Sequence, residues 1–293
     1  MNTVNCFKLV VILLWLPVGL FSQTFFDIAR LDFIQIPTSY QNESNSFKVR
    51  EYNAALNLGF KTAGEDRLLI GWNGEKRTIN IAEESPYNKP LFLNVASVGY
   101  IRDWQDSPWR LLLMSRIKLG SDYDVWAADD LSWGVLAAAT FTNKNKVSFT
   151  LGGHYGEELF GPLIFPIFGI DMKLSERTYL YAFFPAEVRI EQALSPSKLY
   201  TSVVLNWITN SYGLHQVPQN SFIRTEELML RAFLDFHITK EWVLFGALGH
   251  TLINKYDLKS DGQELLLESP FDKDFKNGLI LDFGLAFRIR FKN

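Results

Sequence analysis

The chain reads as an all-β protein: a transmembrane, antiparallel, up-and-down β-barrel of 12–14 strands, with short periplasmic turns and longer outer loops. Three observations predict this. The final stretch, Gly278 to Asn293, is GLILDFGLAFRIRFKN. From Leu279 to Phe291 every odd position is large and apolar, and from Asp282 on the even positions are small or charged. A period of two held this long means one strand with two unlike faces, longer than the about 5–6 residues usual in soluble proteins. The second observation is that the same alternation recurs along the chain. The third is that short and long connections alternate, as in outer-membrane barrels, where about 9–11 tilted residues cross the bilayer.

The clearest repeats are four. Tyr52, Ala54, Leu56, Leu58 and Phe60 alternate with Glu51, Asn53, Asn57 and Lys61. Trp109, Leu111, Leu113 and Ile117 alternate with Arg110, Arg116 and Lys118. Phe149, Leu151 and Tyr155 alternate with Ser148, Thr150 and His154, and Leu228, Leu230, Leu234 and Phe236 alternate with Glu227, Arg231 and Asp235. Each set supplies one row for lipid and one for the lumen. Weaker strands fall near 25–36, 67–81, 91–102, 131–142, 163–173, 198–209 and 242–252. Short connections are expected at Thr62–Asp66, Asp103–Pro108, Asn143–Lys146, Leu174–Arg177, Leu194–Ser197 and Thr239–Glu241. Long ones are expected at Pro37–Ser46, Ala82–Pro90, Gly120–Asp130, Tyr212–Ser221 and Asn254–Lys276.

Strand parity raises one difficulty. Thr178–Ala193 alternates as a single strand, which gives thirteen, whereas single-chain bacterial barrels have even counts. Pro185 resolves it if the chain reverses there, because proline is unwelcome inside a paired central strand. The count is then fourteen, or twelve if that hairpin leaves the wall. Asn73-Gly74 is a second candidate turn.

Composition bounds the class. The 293 residues carry a formal net charge of -3, so there is no basic excess for nucleic acid. Aromatics reach 15%, which suits lipid-facing rows and interfacial girdles. Residues 1–23 read as a cleaved signal peptide: a polar start through Lys8, a twelve-residue apolar run from Leu9 to Leu20, then a change of composition. That run fits the about 7–15 residues of a signal core and is short of the about 20 needed to span as a helix. Residues 24–293 form the barrel domain, directed to the bacterial outer membrane. The sole cysteine, Cys6, lies in the leader, so the mature chain has no disulfide and no thiolate ligand.

Three stretches, taken with the strand pattern, carry a family resemblance: Trp109–Asp122 (WRLLLMSRIKLGSD), Phe160–Lys173 (FGPLIFPIFGIDMK) with Tyr179–Pro185 after it, and the closing strand. Together they resemble a family of Gram-negative outer-membrane β-barrels known only as a domain of unknown function. The resemblance implies a fold and a location, with outer-membrane lipid and the barrel insertion machinery as partners, and brings no activity. One departure is that Phe291 is followed by Lys292 and Asn293, where many such barrels end on an aromatic residue.

Catalytic, cofactor and metal residues are not expected. His154, His215, His237 and His250 show no metal-ligand spacing. A membrane lipase would need Ser and His within reach, yet Ser148 and Thr150 lie about 13–20 Å from His154 along one strand. A rim protease would need acidic pairs and a histidine, and Asp129-Asp130 and His215 lie in separate long loops. The informative residues are the candidate lumen-lining charges Glu51, Arg110, Arg116, Lys118, Glu227, Arg231, Asp235, Asp282, Arg288 and Arg290. Both signs are present. Charges buried without partners are costly, so pairing across a narrow interior is one reading. The other is a selectivity lining. The functional expectation is therefore a passive, porin-like channel or transport-type barrel for small polar solutes, with a plugged structural or partner-binding barrel as the alternative and a barrel-embedded hydrolase behind both.

Overall fold

The computed structural model describes residues 24–39, 46–62, 64–80, 89–122, 128–215, 221–260 and 276–291. The expected signal peptide, most of the long outer loops and Lys292-Asn293 lie outside the described residues. Fourteen strands follow one another: β1 Phe25–Ser39, β2 Ser46–Lys61, β3 Arg67–Asn80, β4 Pro90–Asp103, β5 Trp109–Ser121, β6 Leu131–Thr142, β7 Ser148–Glu158, β8 Gly161–Ser175, β9 Thr178–Phe184, β10 Glu187–Ser195, β11 Leu199–Leu214, β12 Ser221–His237, β13 Trp242–Ser260 and β14 Leu279–Arg290. Each pairs antiparallel with its neighbours in sequence, and β14 closes on β1. Closure matters in lipid, where an unpaired backbone group finds no water.

Alternation sets which face each residue takes. Outward rows carry exposed Leu31, Leu56, Trp72, Val98, Leu113, Ile117, Leu151, Leu248 and Phe283. Inward rows carry buried Glu51, Arg77, Lys118, Glu227, Asp282 and Arg288. This inverts a soluble protein, because the solvent of the outer face is hydrocarbon. Aromatic pairs brace both ends. Trp109–Phe141 and Trp242–Phe287 (5.2 and 5.3 Å between ring centres) lie toward the short turns, and Trp133–Tyr155 (5.6 Å) lies toward the other end. In β1 the register slips between Asp27 and Ala29, so Phe25 and Asp27 point inward before the bulge and Arg30 and Asp32 after it.

The parity problem resolves at Pro185. β9 and β10 form a hairpin within the wall, joined by a turn at Pro185-Ala186 whose first peptide is cis, and the count is fourteen. Asn73 and Gly74 do not turn; they pair with Ala55 and Ala54 inside β3. Four of the expected long connections are shorter than expected, because β1 runs to Ser39, β5 to Ser121, β11 to Leu214 and β13 to Ser260. The six expected short turns all fall at one end, while two further two-residue turns, at 159–160 and at Pro185-Ala186, fall on the opposite side. At Asn143 the side-chain Oδ1 accepts from the Asn145 and Val147 amides (2.9 and 3.0 Å), and Lys146 takes the left-handed conformation that the reversal needs. At Thr62–Asp66 the Asp66 carboxylate accepts from the Tyr100 hydroxyl, from Arg102 Nη1 (2.6 Å) and from the Asp103 amide (3.3 Å).

The wall is uneven. β9 and β10 have 7 and 9 residues, while β12 and β13 have 17 and 19. Above the short hairpin β11 bends inward, and Gly213 bridges to Ser121 of β5. Two glycines permit this approach. A Cβ on Gly120 would lie 2.2 Å from the Ser211 carbonyl, and one on Gly213 would lie 1.8 Å from Asp130 Oδ1.

Candidate functional site: a lumen of paired charges under an apolar cluster

Ion pairs occupy the inner end, near the short turns. Arg290 donates to both carboxylate oxygens of Glu191 (2.8 and 2.9 Å) and to His237 Nε2 (3.1 Å), and its guanidinium lies 3.4 Å from the Tyr200 ring centre. Arg288 donates to Asp27 (2.5 and 3.0 Å) and to Asp235 (2.5 Å). Across the barrel Arg110 bonds Asp103 (2.7 Å), which Arg67 also reaches.

The middle level follows the same rule. Arg231 donates to Asp282 Oδ2 (2.7 Å) and to Asn206 Oδ1 (2.8 Å). Arg189 and Asn206 both donate to Glu187 (2.9 and 3.1 Å), and Arg30 and Asn53 both donate to Asp32 (2.7 and 3.0 Å). A cavity of about 430 Å³ remains here. Its lining holds Arg30, Arg77, Arg189 and Arg231 against Asp32, Glu51, Glu75 and Glu187, so positive and negative charges balance.

Above the cavity Arg77 gathers three carboxylates. It makes a two-point contact with Glu227 (3.0 and 2.8 Å) and approaches Glu75 at 2.9 Å and Glu51 at 2.7 Å. The Tyr256 hydroxyl donates to Glu227 (2.8 Å) and the Tyr212 hydroxyl to Glu75 (2.7 Å). Arg77 is 1% exposed and Glu227 is fully buried. Two-point Arg–carboxylate contacts fix geometry as well as charge.

The outer end is apolar. Ile36, Val49, Ile79, Leu91, Tyr212, Ile223, Tyr256, Leu258 and Ile280 pack into one buried cluster across strands β1–β4 and β11–β14. Tyr212 and Leu214 enter it because β11 bends inward. A polar interior is the norm for such barrels, so this cluster departs from the expected lumen.

All ten candidate lumen charges lie on inward rows. Glu51 and Glu227 meet at Arg77, Arg231 meets Asp282, and Arg288 meets Asp235. Arg110 and Arg290 bond partners outside the set, Asp103 and Glu191. Arg116 and Lys118 stand apart on β5, beside Glu158 of β7 (3.8 and 2.7 Å). Sequence reasoning did not single out Asp27, Arg30, Glu75, Arg77, Glu187 and Arg189, which lie on β1, β3 and β10. It also did not single out the apolar cluster.

Two residues from separate expected loops do meet. His215 Nε2 is 2.8 Å from Asp130 Oδ2, and the His215 amide donates to Asp122 Oδ2 (3.2 Å). These contacts tie the end of β11 to the β5–β6 connection. Ser148, Thr150 and His154 stay strung along the inner face of β7 and do not converge. Among the described residues no group of three or more His, Cys, Asp or Glu side chains is placed to hold a metal ion.

Fold, lipid-facing rows and charged interior together define a transmembrane β-barrel of the outer-membrane type. No protein-family model matches the chain, and no curated protein matches it. Among solved structures it is similar to the translocator domain of autotransporter NalP from Neisseria meningitidis (12% identity, 97% of this chain and 95% of that one, TM-score 0.36). It is also similar to a bacterial polysaccharide outer membrane secretin (10% identity, 90% and 99% covered, TM-score 0.35) and to the outer membrane protease OmpT from Escherichia coli (8% identity, 90% and 94% covered, TM-score 0.22). At these scores the likenesses carry no argument about role.

Proposed function

We propose that this protein is a non-conducting outer-membrane barrel that serves as a structural or ligand-binding element of the membrane, exported there by its N-terminal leader. The observation that carries this reading is the filled lumen. An apolar cluster closes the outer end, Arg77 and its carboxylates lie beneath it, and paired arginines occupy the levels below. A selectivity lining needs charges that face water and a passing ion. Here most of the charges pair with one another, and the remaining cavity is balanced in sign. The packing therefore favours the plugged barrel over the passive channel.

Planar-bilayer recording tests this. The folded barrel is expected to leave the membrane sealed at all moderate voltages. A steady ohmic conductance that changes on Arg231→Gln would overturn the proposal and restore the channel. We further propose that the barrel is not a hydrolase, and that His215 and Asp130 act as a rim staple. Peptide or lipid turnover abolished by His215→Ala or His154→Ala would refute that.

A further inference from the structure

The short β9–β10 hairpin leaves a step in the wall. Its turn lies level with Phe168 of β8 and Asn206 of β11, well below the rim. Above it, residues 161–167 of β8 pair with β7 alone. The Trp207 amide still donates to the Ala186 carbonyl (3.2 Å), and beyond it residues 208–214 of β11 pair with β12, apart from the single bridge at Gly213. No ladder joins β8 to β11. At about 3.3 Å per residue, the unpaired stretch of β8 is an edge about 20 Å tall. The gap is bounded above, where the Phe160 ring lies 4.5 Å from the Arg224 guanidinium and the Ser211 hydroxyl 3.5 Å from Glu158 Oε2. Its outer margin is apolar: Ile164, Phe168, Phe184 and Trp207 are all exposed, Ile164 at 73%. Pro162 and Pro166 stand on the β8 edge, where they present no N–H.

Incompletely satisfied polar groups lie just behind this edge. His154 pairs with Phe165 of β8, and the two rings stack at 4.6 Å and 5°. His154 is 4% exposed; the Leu163 backbone is the polar group beside its ring, and neither ring nitrogen makes a well-aligned hydrogen bond among the described residues. Arg116 Nε is also buried and unbonded. Gly134 and Gly156 empty the space around them: a Cβ on either would lie 3.0 or 2.9 Å from the imidazole. Arg116 and Lys118 outnumber Glu158, which already holds Lys118 Nζ at 2.7 Å. On the lipid side, a groove of about 960 Å³ crosses β4 to β8 past Leu113, Ala137, Tyr155 and Ile164 and reaches the same edge at Pro166.

We propose that the gap between β8 and β11 is a lateral portal for a membrane amphiphile with an anionic oxygen head. The acyl chain lies in the outer groove. The head turns around the β8 edge and accepts hydrogen bonds from Arg116 and His154, while Glu158 stays with Lys118. Buried donors left unmade are costly, and an oxyanion suits both. The lipid source follows from the groove, because a free anion would leave it unused. This inference deepens the binding reading above and fails separately from it, since a sealed lumen and an absent ligand are different results.

The test is calorimetric titration of the folded barrel, held in a neutral detergent, with laurate, dodecanol and inorganic phosphate. Laurate is expected to bind one to one, dodecanol about tenfold or more weakly, and phosphate not at all, as the loss of a charge-assisted contact dictates. Arg116→Gln and His154→Leu should each weaken laurate about tenfold, with heat-modifiable gel migration unchanged. Equal affinity for laurate and dodecanol, phosphate binding in place of laurate, or unchanged affinity in both variants would overturn the portal. If either inner-face variant does not fold, Ile164→Trp fills the groove from the lipid side and must itself weaken laurate; unaltered binding there is a refutation.

Discussion

Replacing Arg77 with methionine tests the central claim that internal charges hold this barrel together. The substitution keeps an unbranched chain of similar reach and removes the only cation, among the described residues, within bonding distance of Glu227, Glu51 and Glu75. Tyr256 still donates to Glu227 and Tyr212 to Glu75, so each keeps one hydrogen bond. Three carboxylates then face one another in a region where Arg77 was 1% exposed. Removing one partner of a buried pair costs about 3–5 kcal/mol, and the extra mutual repulsion places this case toward the upper figure. The assay is reversible urea unfolding in lipid vesicles, followed by tryptophan fluorescence and by the mobility difference between folded and unfolded forms. Adding Glu227→Gln to Arg77→Met should recover part of the loss, because it removes one of the stranded charges. A loss below about 1 kcal/mol, the range of an ordinary surface change, would show that water already reaches this level and that the lumen is not packed.

Three further outcomes follow. Phe283→Arg places a charge on the lipid face at a position 56% exposed, and should cost about 2–4 kcal/mol if it lies near the bilayer midplane, read in the same unfolding assay. Gly213→Val puts a side chain onto Asp130, 1.8 Å from its Oδ1 at the Cβ alone. It should open the contact between β11 and β5 and speed proteolysis at the outer rim while the lower barrel stays folded; an unchanged cleavage rate would argue against the closure. The Tyr100 hydroxyl, with Arg102 and the Asp103 amide, holds the Asp66 carboxyl below its ordinary value of 3.8. Asp66 binds fewer protons when folded than when unfolded, so its contribution is complete above the ordinary value and fades as pH falls through the lower one. Hydrogen exchange at the Thr62–Asp66 turn should therefore quicken below about pH 4, and Asp66→Asn should remove that dependence.

The barrel was legible because lipid and lumen impose opposite demands on alternate residues. β2, β5, β12 and β14 declare their faces by period alone. Pro185 disclosed the fourteenth strand, since no ladder position tolerates it at mid-wall. The outer half of the lumen was not legible. Ile36, Val49, Ile79 and Ile280 are apolar on the inward row, and apolar side chains carry no mark of whether lipid or neighbouring side chains cover them. The charge partners were only half readable for a related reason. Arg77 and Glu227 are 150 residues apart, and only strand order and stagger bring them face to face. His215 and Asp130 were candidates in separate loops; their meeting depends on the inward bend of β11, which small residues such as Gly213 permit but do not announce.

The pairing of Arg288 with Asp27 spans 261 residues and joins the last strand to the first. Asp235, its other partner, belongs to β12. Until the seam zips, this guanidinium has at most one carboxylate to meet, and its burial is unfavourable. The ion pair therefore acts as a latch on assembly. A chain with an open seam keeps a solvated charge where the finished barrel has a buried one, so partly closed intermediates gain little from threading β14 into the membrane. Burying Arg288 therefore couples the pairing of the final strand to that of the first.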